Sequence, residues 1–262
     1  MQTVVAPTLE QVLDFCAADP VERVFLEDVA RRRLGRFAAT AGDDGRLRAL
    51  CHVGTNLVPS GEHCTAFAGV VRDNAPRIRM LIGEERAVDE LWEASAASLP
   101  PPKDDRPGQP VYVLEEPPTP GETALRPAEP GDYELLLPAC ARMHEEEVGV
   151  DPLRRDADGF RWRTRAQIDD GRSWLWVQDG SILFKAEASA WTPHAVQLMQ
   201  VWTDPDVRGR GFAQRGLRDL CRLLLETTPC VCLFVRPENA AAIRVYEAVG
   251  MRQTLTYRSL IF

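Results

Sequence analysis

Ten of the chain's 20 prolines fall between Leu99 and Pro130: Pro100, Pro101, Pro102, Pro107, Pro110, Pro117, Pro118, Pro120, Pro127 and Pro130. Proline has no amide donor and fixes its own φ, so no helix interior survives in this stretch. It divides the 262-residue chain into two parts, each long enough to close a core of its own. A short strand, Val111–Leu114, is expected inside it, with the boundary near Glu116–Gly121. The reading is an N-terminal unit over residues 1–116 and a C-terminal unit over residues 122–262. No short-period repeat is visible.

Apolar residues make up 45% of the chain and the formal net charge is −8. The first figure supports a packed core. The second disfavours nucleic acid, because an acidic surface repels phosphate backbones. The basic run Arg31–Arg33 reads as a solvated helix face. Seven cysteines are scattered with no C-x-x-C spacing, so neither a metal knuckle nor a redox pair is expected. Reduced thiols and the lack of a signal-like start give a cytoplasmic expectation. No apolar run approaches the ~20 residues that span a bilayer, so no membrane partner is expected either.

The N-terminal part reads as mixed α/β. Thr8–Ala17, Val21–Leu34 and Glu84–Ala97 have helical spacing; Arg46–Val53 and Ile78–Ile82 read as strands; Asn56–Gly61, with Pro59 and Gly61, reads as a turn. His52 and His63 are expected to be structural. The C-terminal part is more regular. A short strand at Thr123–Arg126 precedes a helix capped by Asp132 that runs to Glu147. A second helix spans Asp158–Asp170, with Phe160, Trp162 and Ile168 available to pack. Asp179-Gly180 joins the strands Ser173–Gln178 and Ile182–Ala190 in a hairpin. Ala195–Trp202 is a strand, Gly211–Glu226 a helix, Val231–Val235 a buried strand and Asn239–Val249 a helix stopped by Gly250. Thr254–Ile261 is the last strand.

The chemistry is concentrated in Thr203–Ala213, TDPDVRGRGFA, which joins a strand to a helix. Gly209 and Gly211 permit unusual torsions and close approach. The helix start offers unpaired amides and a positive dipole end, a cradle for pyrophosphate. There is no Gly-Lys-Ser/Thr, so this is not a P-loop. It also lies too late in the chain, after two antiparallel strands, for a dinucleotide fingerprint.

Arg208-Gly209-Arg210-Gly211-Phe212-Ala213 matches the pattern Gln/Arg-x-x-Gly-x-Gly/Ala, and Asn239, Ala242, Tyr246, Glu247 and Gly250 match Asn-x-x-Ala-x-x-x-Tyr-Glu-x-x-Gly. With both motifs in order, about Ala124 to Phe262 resembles the GNAT family of N-acetyltransferases. The whole chain resembles bacterial members that carry an extra N-terminal GNAT-like domain. The resemblance implies an α/β fold with a mixed, mostly antiparallel central sheet flanked by helices, present as two such domains in tandem. It implies acetyl-CoA as acyl donor. Backbone groups of Val201, Trp202 and Thr203 would hold the pantetheine arm and acyl carbonyl. Amides of Arg208, Gly209, Arg210, Gly211, Phe212 and Ala213 would hold the pyrophosphate. Asn239 would bond the cofactor arm, and Tyr246 would protonate the leaving thiolate.

The general base is less marked. Some family members carry Glu on the strand before the Asn helix; here Phe234 stands there. Glu187, in FKAE, is the favoured base or amine anchor, with the run Glu145–Glu147 behind it. No metal and no covalent cysteine intermediate are expected. The acceptor is a small-molecule amine or a protein. A non-catalytic acyl-CoA sensor and an acyltransferase acting on a protein or carrier-protein partner stay open as alternatives.

Overall fold

A computed structural model describes residues 3–262. Its first part contains β1 (Val4–Val5), α1 (Leu9–Ala17), α2 (Val24–Arg31), β2 (Arg36–Ala41), β3 (Leu47–Val53), β4 (Asn56–Gly61), α3 (Ala68–Asn74), β5 (Met80–Glu84), α4 (Glu85–Ser95) and β6 (Asp104–Leu114). The second contains β7 (Arg126–Pro127), α5 (Tyr133–Val148), α6 (Pro152–Arg155), α7 (Ala157–Asp169), β8 (Ser173–Gln178) and β9 (Ser181–Trp191). It continues through β10 (Val196–Trp202), α8 (Phe212–Leu225), β11 (Val231–Phe234), α9 (Ala240–Val249) and β12 (Arg252–Ile261). Strands and helices alternate through a mixed, mostly antiparallel sheet flanked by helices, as expected.

The strands form one sheet in the order β1-β2-β3-β4-β5-β12-β6-β11-β10-β9-β8-β7. The last strand of the chain, β12, lies between β5 and β6, while β6 pairs with β11. Backbone hydrogen bonding therefore runs unbroken past the Glu116–Gly121 segment. Helices α1, α2, α5 and α7 cover one face, and α3, α4, α8 and α9 the other. Strand alternation makes this division visible: Cys232 packs with Val24 of α2, whereas Val231 and Leu233 join the α8 and α9 core.

Local chemistry explains most elements. Thr8 and Gln11 close a capping box at α1. Asp179 and Gly180 both take positive φ, 50° and 76°, as a tight hairpin turn requires. Gly250 at φ 102° stops α9.

Five expectations are corrected. Asn56–Gly61 is not a turn but the strand β4, buried between β3 and β5. Its Pro59 lies beyond the two-residue parallel ladder with β5. Val111–Leu114 is only the end of an eleven-residue strand. Here Pro107 and Gly108 sit in a bulge opposite Arg258, where no ladder amide is needed. The strand expected at Thr123–Arg126 shrinks to Arg126–Pro127, because Asp219 of α8 captures the amides of Gly121 (2.6 Å) and Thr123 (2.8 Å). Asp132 makes no side-chain cap on α5, since its carboxylate is taken by Arg126 at 2.7 and 2.8 Å. Trp162 does not pack and is 71% exposed; the inward stripe of α7 is Phe160, Thr164 and Ile168.

Helix α2 belongs to the first part of the chain but also docks on the second. Asp28, 4% exposed, accepts from Arg172 at 2.6 and 3.1 Å. Glu27 accepts from His194 at 2.9 Å, and Arg32 reaches Asp170 at 2.6 Å. The basic run is therefore exposed but partly committed to ion pairs.

Candidate active site

Strands β10 and β11 run parallel for only two registers, Val196 with Val231 and Gln197 with Cys232. Beyond Gln197 no ladder joins them, which opens a cleft beside the glycine turn. On its other edge β10 bulges: Met199 faces Glu187 and Trp202 faces Lys185, so three steps on β10 match two on β9. Gln200 takes φ 54° in this bulge, a conformation uncommon for a residue with a side chain. Backbone groups of Gln200 and Val201 are thereby released from a regular ladder at the cleft. The side chain of Trp202 goes instead into the core under α5.

The glycine turn follows. Asp204 caps a short 3₁₀ turn over Pro205–Val207, and Gly209 and Gly211 take φ 78° and 82°. A Cβ at either glycine would meet nothing within 4 Å, so torsion demands glycine there and the space above stays open. Gly211 begins α8 with no side-chain cap, and the first helical bond is from the Arg215 amide to the Gly211 carbonyl at 3.0 Å. The amides before it point outward with the helix dipole behind them. Phe212 anchors the helix start by packing edge-on against Trp176, 5.2 Å between ring centroids. Arg208 donates to the Thr203 carbonyl at 3.1 Å and to Glu146 at 2.7 Å. Arg210 is exposed. This open, amide-lined turn fits a pyrophosphate.

Tyr246 lies on α9. It is buried, packs against Tyr112 at 5.9 Å, and has no hydrogen bond to its hydroxyl among the described residues. Burial first, and Glu147 second, raise its pKa well above the ordinary phenol value, so it stays protonated. Asn239 caps α9, accepting from the Ala242 amide at 3.1 Å. Phe234 stacks on Tyr257 at 5.3 Å.

Glu187 lies on the α5 face of β9 and is nearly buried. Its Oε1 accepts from Lys185 Nζ at 3.1 Å and from Cys140 Sγ at 3.2 Å. Lys185 is fully buried and also donates to Gln200 Oε1 at 3.2 Å. Burial pushes the Lys185 pKa down, but Glu187 and Cys140 outweigh it and the net direction is up. Burial raises the Cys140 thiol to about 12, a poor state for a nucleophile.

Glu187, Gln200 and Met199 form the floor of a cavity of about 350 Å³ between α5 and α7. His144 lines it, one helical turn beyond Cys140, with its ring edge-on to Phe160 at 5.8 Å. Neither ring nitrogen is hydrogen-bonded among the described residues. Burial first, then Arg163 and Arg155, hold the imidazole below its ordinary pKa of 6.5. Sequence reasoning passed over His144; only its spacing from Cys140 along one helix face pointed to it. Glu147 is exposed by surface area, yet the protein around its carboxyl raises it above the usual range. A wider hollow of about 540 Å³ lies between α4 and β12, where Glu90 is paired with Arg86 and Asp89 with Arg258.

Residues 137–251 match the acetyltransferase (GNAT) family, and residues 37–136 match a domain of unknown function, DUF4081. No curated protein matches the sequence. Among solved structures, a GCN5-related N-acetyltransferase from Sphaerobacter thermophilus superposes with TM-score 0.60 at 17% identity, covering 98% of this chain and 94% of that one. A GCN5-related N-acetyltransferase from Kribbella flavida gives 0.61 at 14% identity, covering 92% and 94%. A tandem GNAT protein from the clavulanic acid biosynthesis pathway, solved without AcCoA, gives 0.58 at 13% identity, covering 100% and 98%. At these identities the likeness is one of fold.

Proposed function

We propose that this chain, whose residues 137–251 match the acetyltransferase (GNAT) family, transfers an acyl group, acetyl in the first instance, from acyl-CoA to an amine. The observation that carries this reading is the divergence of β10 from β11 directly before an uncapped, open glycine turn. Amides of Arg208–Ala213 hold the pyrophosphate, Val201–Thr203 and the bulge hold the arm and the acyl carbonyl, and the free amide nitrogen of Asn239 adds a donor. Bound acyl-CoA supplies the thioester.

The amine nitrogen attacks the thioester carbon, the C–N bond forms and the C–S bond breaks. Tyr246 gives its phenolic proton to the departing thiolate and recovers one from solvent. The raised pKa keeps Tyr246 a phenol before reaction and makes it a weak acid, so it meets the developing thiolate first as a hydrogen-bond donor. Glu187 suits anchoring better than proton uptake, because Lys185 already binds its charge. Its Oε2 is left to accept from the acceptor's amine. His144, neutral and unpaired in the same cavity, takes the amine proton and releases it to solvent.

Two measurements on the full chain test the reading. Calorimetry with acetyl-CoA should show one site. Thiol release with a panel of amines should exceed acetyl-CoA hydrolysis. Binding without any amine-dependent release leaves the sensor alternative; no binding ends both.

A further inference from the structure

None of the residues assigned to the acyl donor lines the cavity between α5 and α7, whose charged lining residues are Arg32, Arg163, Asp170 and Glu187. Arg32 is committed to Asp170 at 2.6 Å, and Glu187 to Lys185 at 3.1 Å. Arg163 is held more loosely: it is about half exposed, and its ion pair with Asp156, at 3.6 Å, is beyond hydrogen-bond length. Arg163 is therefore the lining cation whose N–H donors are left free of any hydrogen bond among the described residues, in a chain that carries −8 overall. His144 is held below 6.5 by burial first, with Arg163 and Arg155 acting in the same direction.

We propose that this cavity is the acceptor site and that it selects amines that also carry a carboxylate, with Arg163 binding that carboxylate. The assignment rests on the acyl-transfer reading. The volume of about 350 Å³ lies near the lower end for small-ligand pockets, so the acceptor is a small molecule and not a folded protein surface. A polyamine or other polycation would set its charges against Arg163. A simple amine, mostly ammonium at neutral pH, has only Glu187 to offset the same repulsion. An amino acid-like acceptor brings its own anion. A guanidinium receives a carboxylate through two parallel hydrogen bonds, fixing orientation as well as charge. With the acid at Arg163, the amine is directed toward Glu187 and His144. The exposed ring of Trp162 at the mouth and the Phe160 ring offer apolar surface to the body of such a molecule.

The test is calorimetry on the full chain in the presence of CoA, with matched pairs: phenylalanine against phenethylamine, and lysine against 1,5-diaminopentane. Spermidine serves as the polycation. The acid-bearing member of each pair should bind at least about tenfold tighter, the size expected of a charge-assisted pair. Arg163→Gln should collapse that ratio to below about threefold, while Arg163→Lys, which keeps the charge without the fork, retains part of it. Acetyl-CoA affinity in both variants checks that they fold. The proposal is overturned if no acid-bearing amine binds, if spermidine or the neutral-bodied amines bind as tightly, or if Arg163→Gln keeps the preference. Tight binding of the amino acids with no thiol release from acetyl-CoA would leave the site standing and remove the acyl-transfer reading.

Discussion

Arg208, at the start of the glycine turn, holds Glu146 of α5 at 2.7 Å and so ties that turn to a helix that walls the cavity around His144. Both side chains are about half exposed, so the pair is worth ~1 kcal/mol at most. Its sign matters more than its size. Glu146 places a negative charge beside the expected position of the pyrophosphate and occupies the arginine that would face it. Glu146→Gln should therefore raise acetyl-CoA affinity about two- to fivefold, with a smaller gain at high ionic strength. Calorimetry at two salt concentrations checks this. An unchanged affinity at both would mean that Arg208 does not face the phosphates.

Gly211→Val should lower acetyl-CoA affinity by more than about tenfold, because a β-branched residue resists φ 82° and its side chain would fill the open space above the turn. The strain at positive φ should also cost about 1–3 kcal/mol of stability, although nothing within 4 Å of the new Cβ is displaced. A folded Gly211→Val protein that binds acetyl-CoA like wild type would remove the turn from the donor site.

The two motifs were legible because each is local: a turn defined by torsions at Gly209 and Gly211, and a helix that Asn239 caps and Gly250 ends. The cleft behind them was not, because it depends on where β10 and β11 stop pairing. Strand β4 was misread for a physical reason. Pro59 and Gly61 suit a turn in isolation, but a Cβ at Gly61 would lie 2.3 Å from the Arg48 carbonyl, so close strand packing sets its glycine. Strand β2, built of small residues, has no period to find. The Asp28–Arg172 pair and the insertion of β12 between β5 and β6 join positions far apart in sequence, and no spacing signals them. The cavity around His144 is of the same kind, since its walls come from α2, α5, α7, β9 and β10.

Glu22 should give the stability of the protein a measurable pH dependence. It is 9% exposed, and burial raises its carboxyl from 4.5 to about 7, despite hydrogen bonds from Arg23 and Ser60. Between those values the folded state holds a proton that the unfolded state has lost. Stability then falls as pH rises, by about 1.4 kcal/mol per unit at most for this one group. Asp132 and Asp219, whose carboxyls are held low, act in the opposite sense and only at more acidic pH. Urea unfolding of Glu22→Gln from pH 5 to 8 should be flatter than wild type. Parallel slopes would show that Glu22 is not the group responsible.

His144 and Glu187 share a cavity but should fail differently when changed. His144→Gln should lower kcat by about 10²- to 10⁴-fold, the usual contribution of a general base, and leave acetyl-CoA affinity intact. Glu187→Gln should act mainly on KM for the acceptor, since it removes the anchor's charge and unpairs Lys185. The pH profile separates the two roles. Proton uptake needs a neutral imidazole, and burial, Arg163 and Arg155 place the His144 titration below 6.5. Arg32, Asp170 and Glu187 also line the cavity, with their charges paired as described. In wild type kcat should therefore stay level from neutral pH down to that low value and then fall. That acid limb should vanish in His144→Gln and persist in Glu187→Gln. If the limb instead disappears with Glu187→Gln while His144→Gln turns over normally, the carboxylate is the base and His144 only lines the wall.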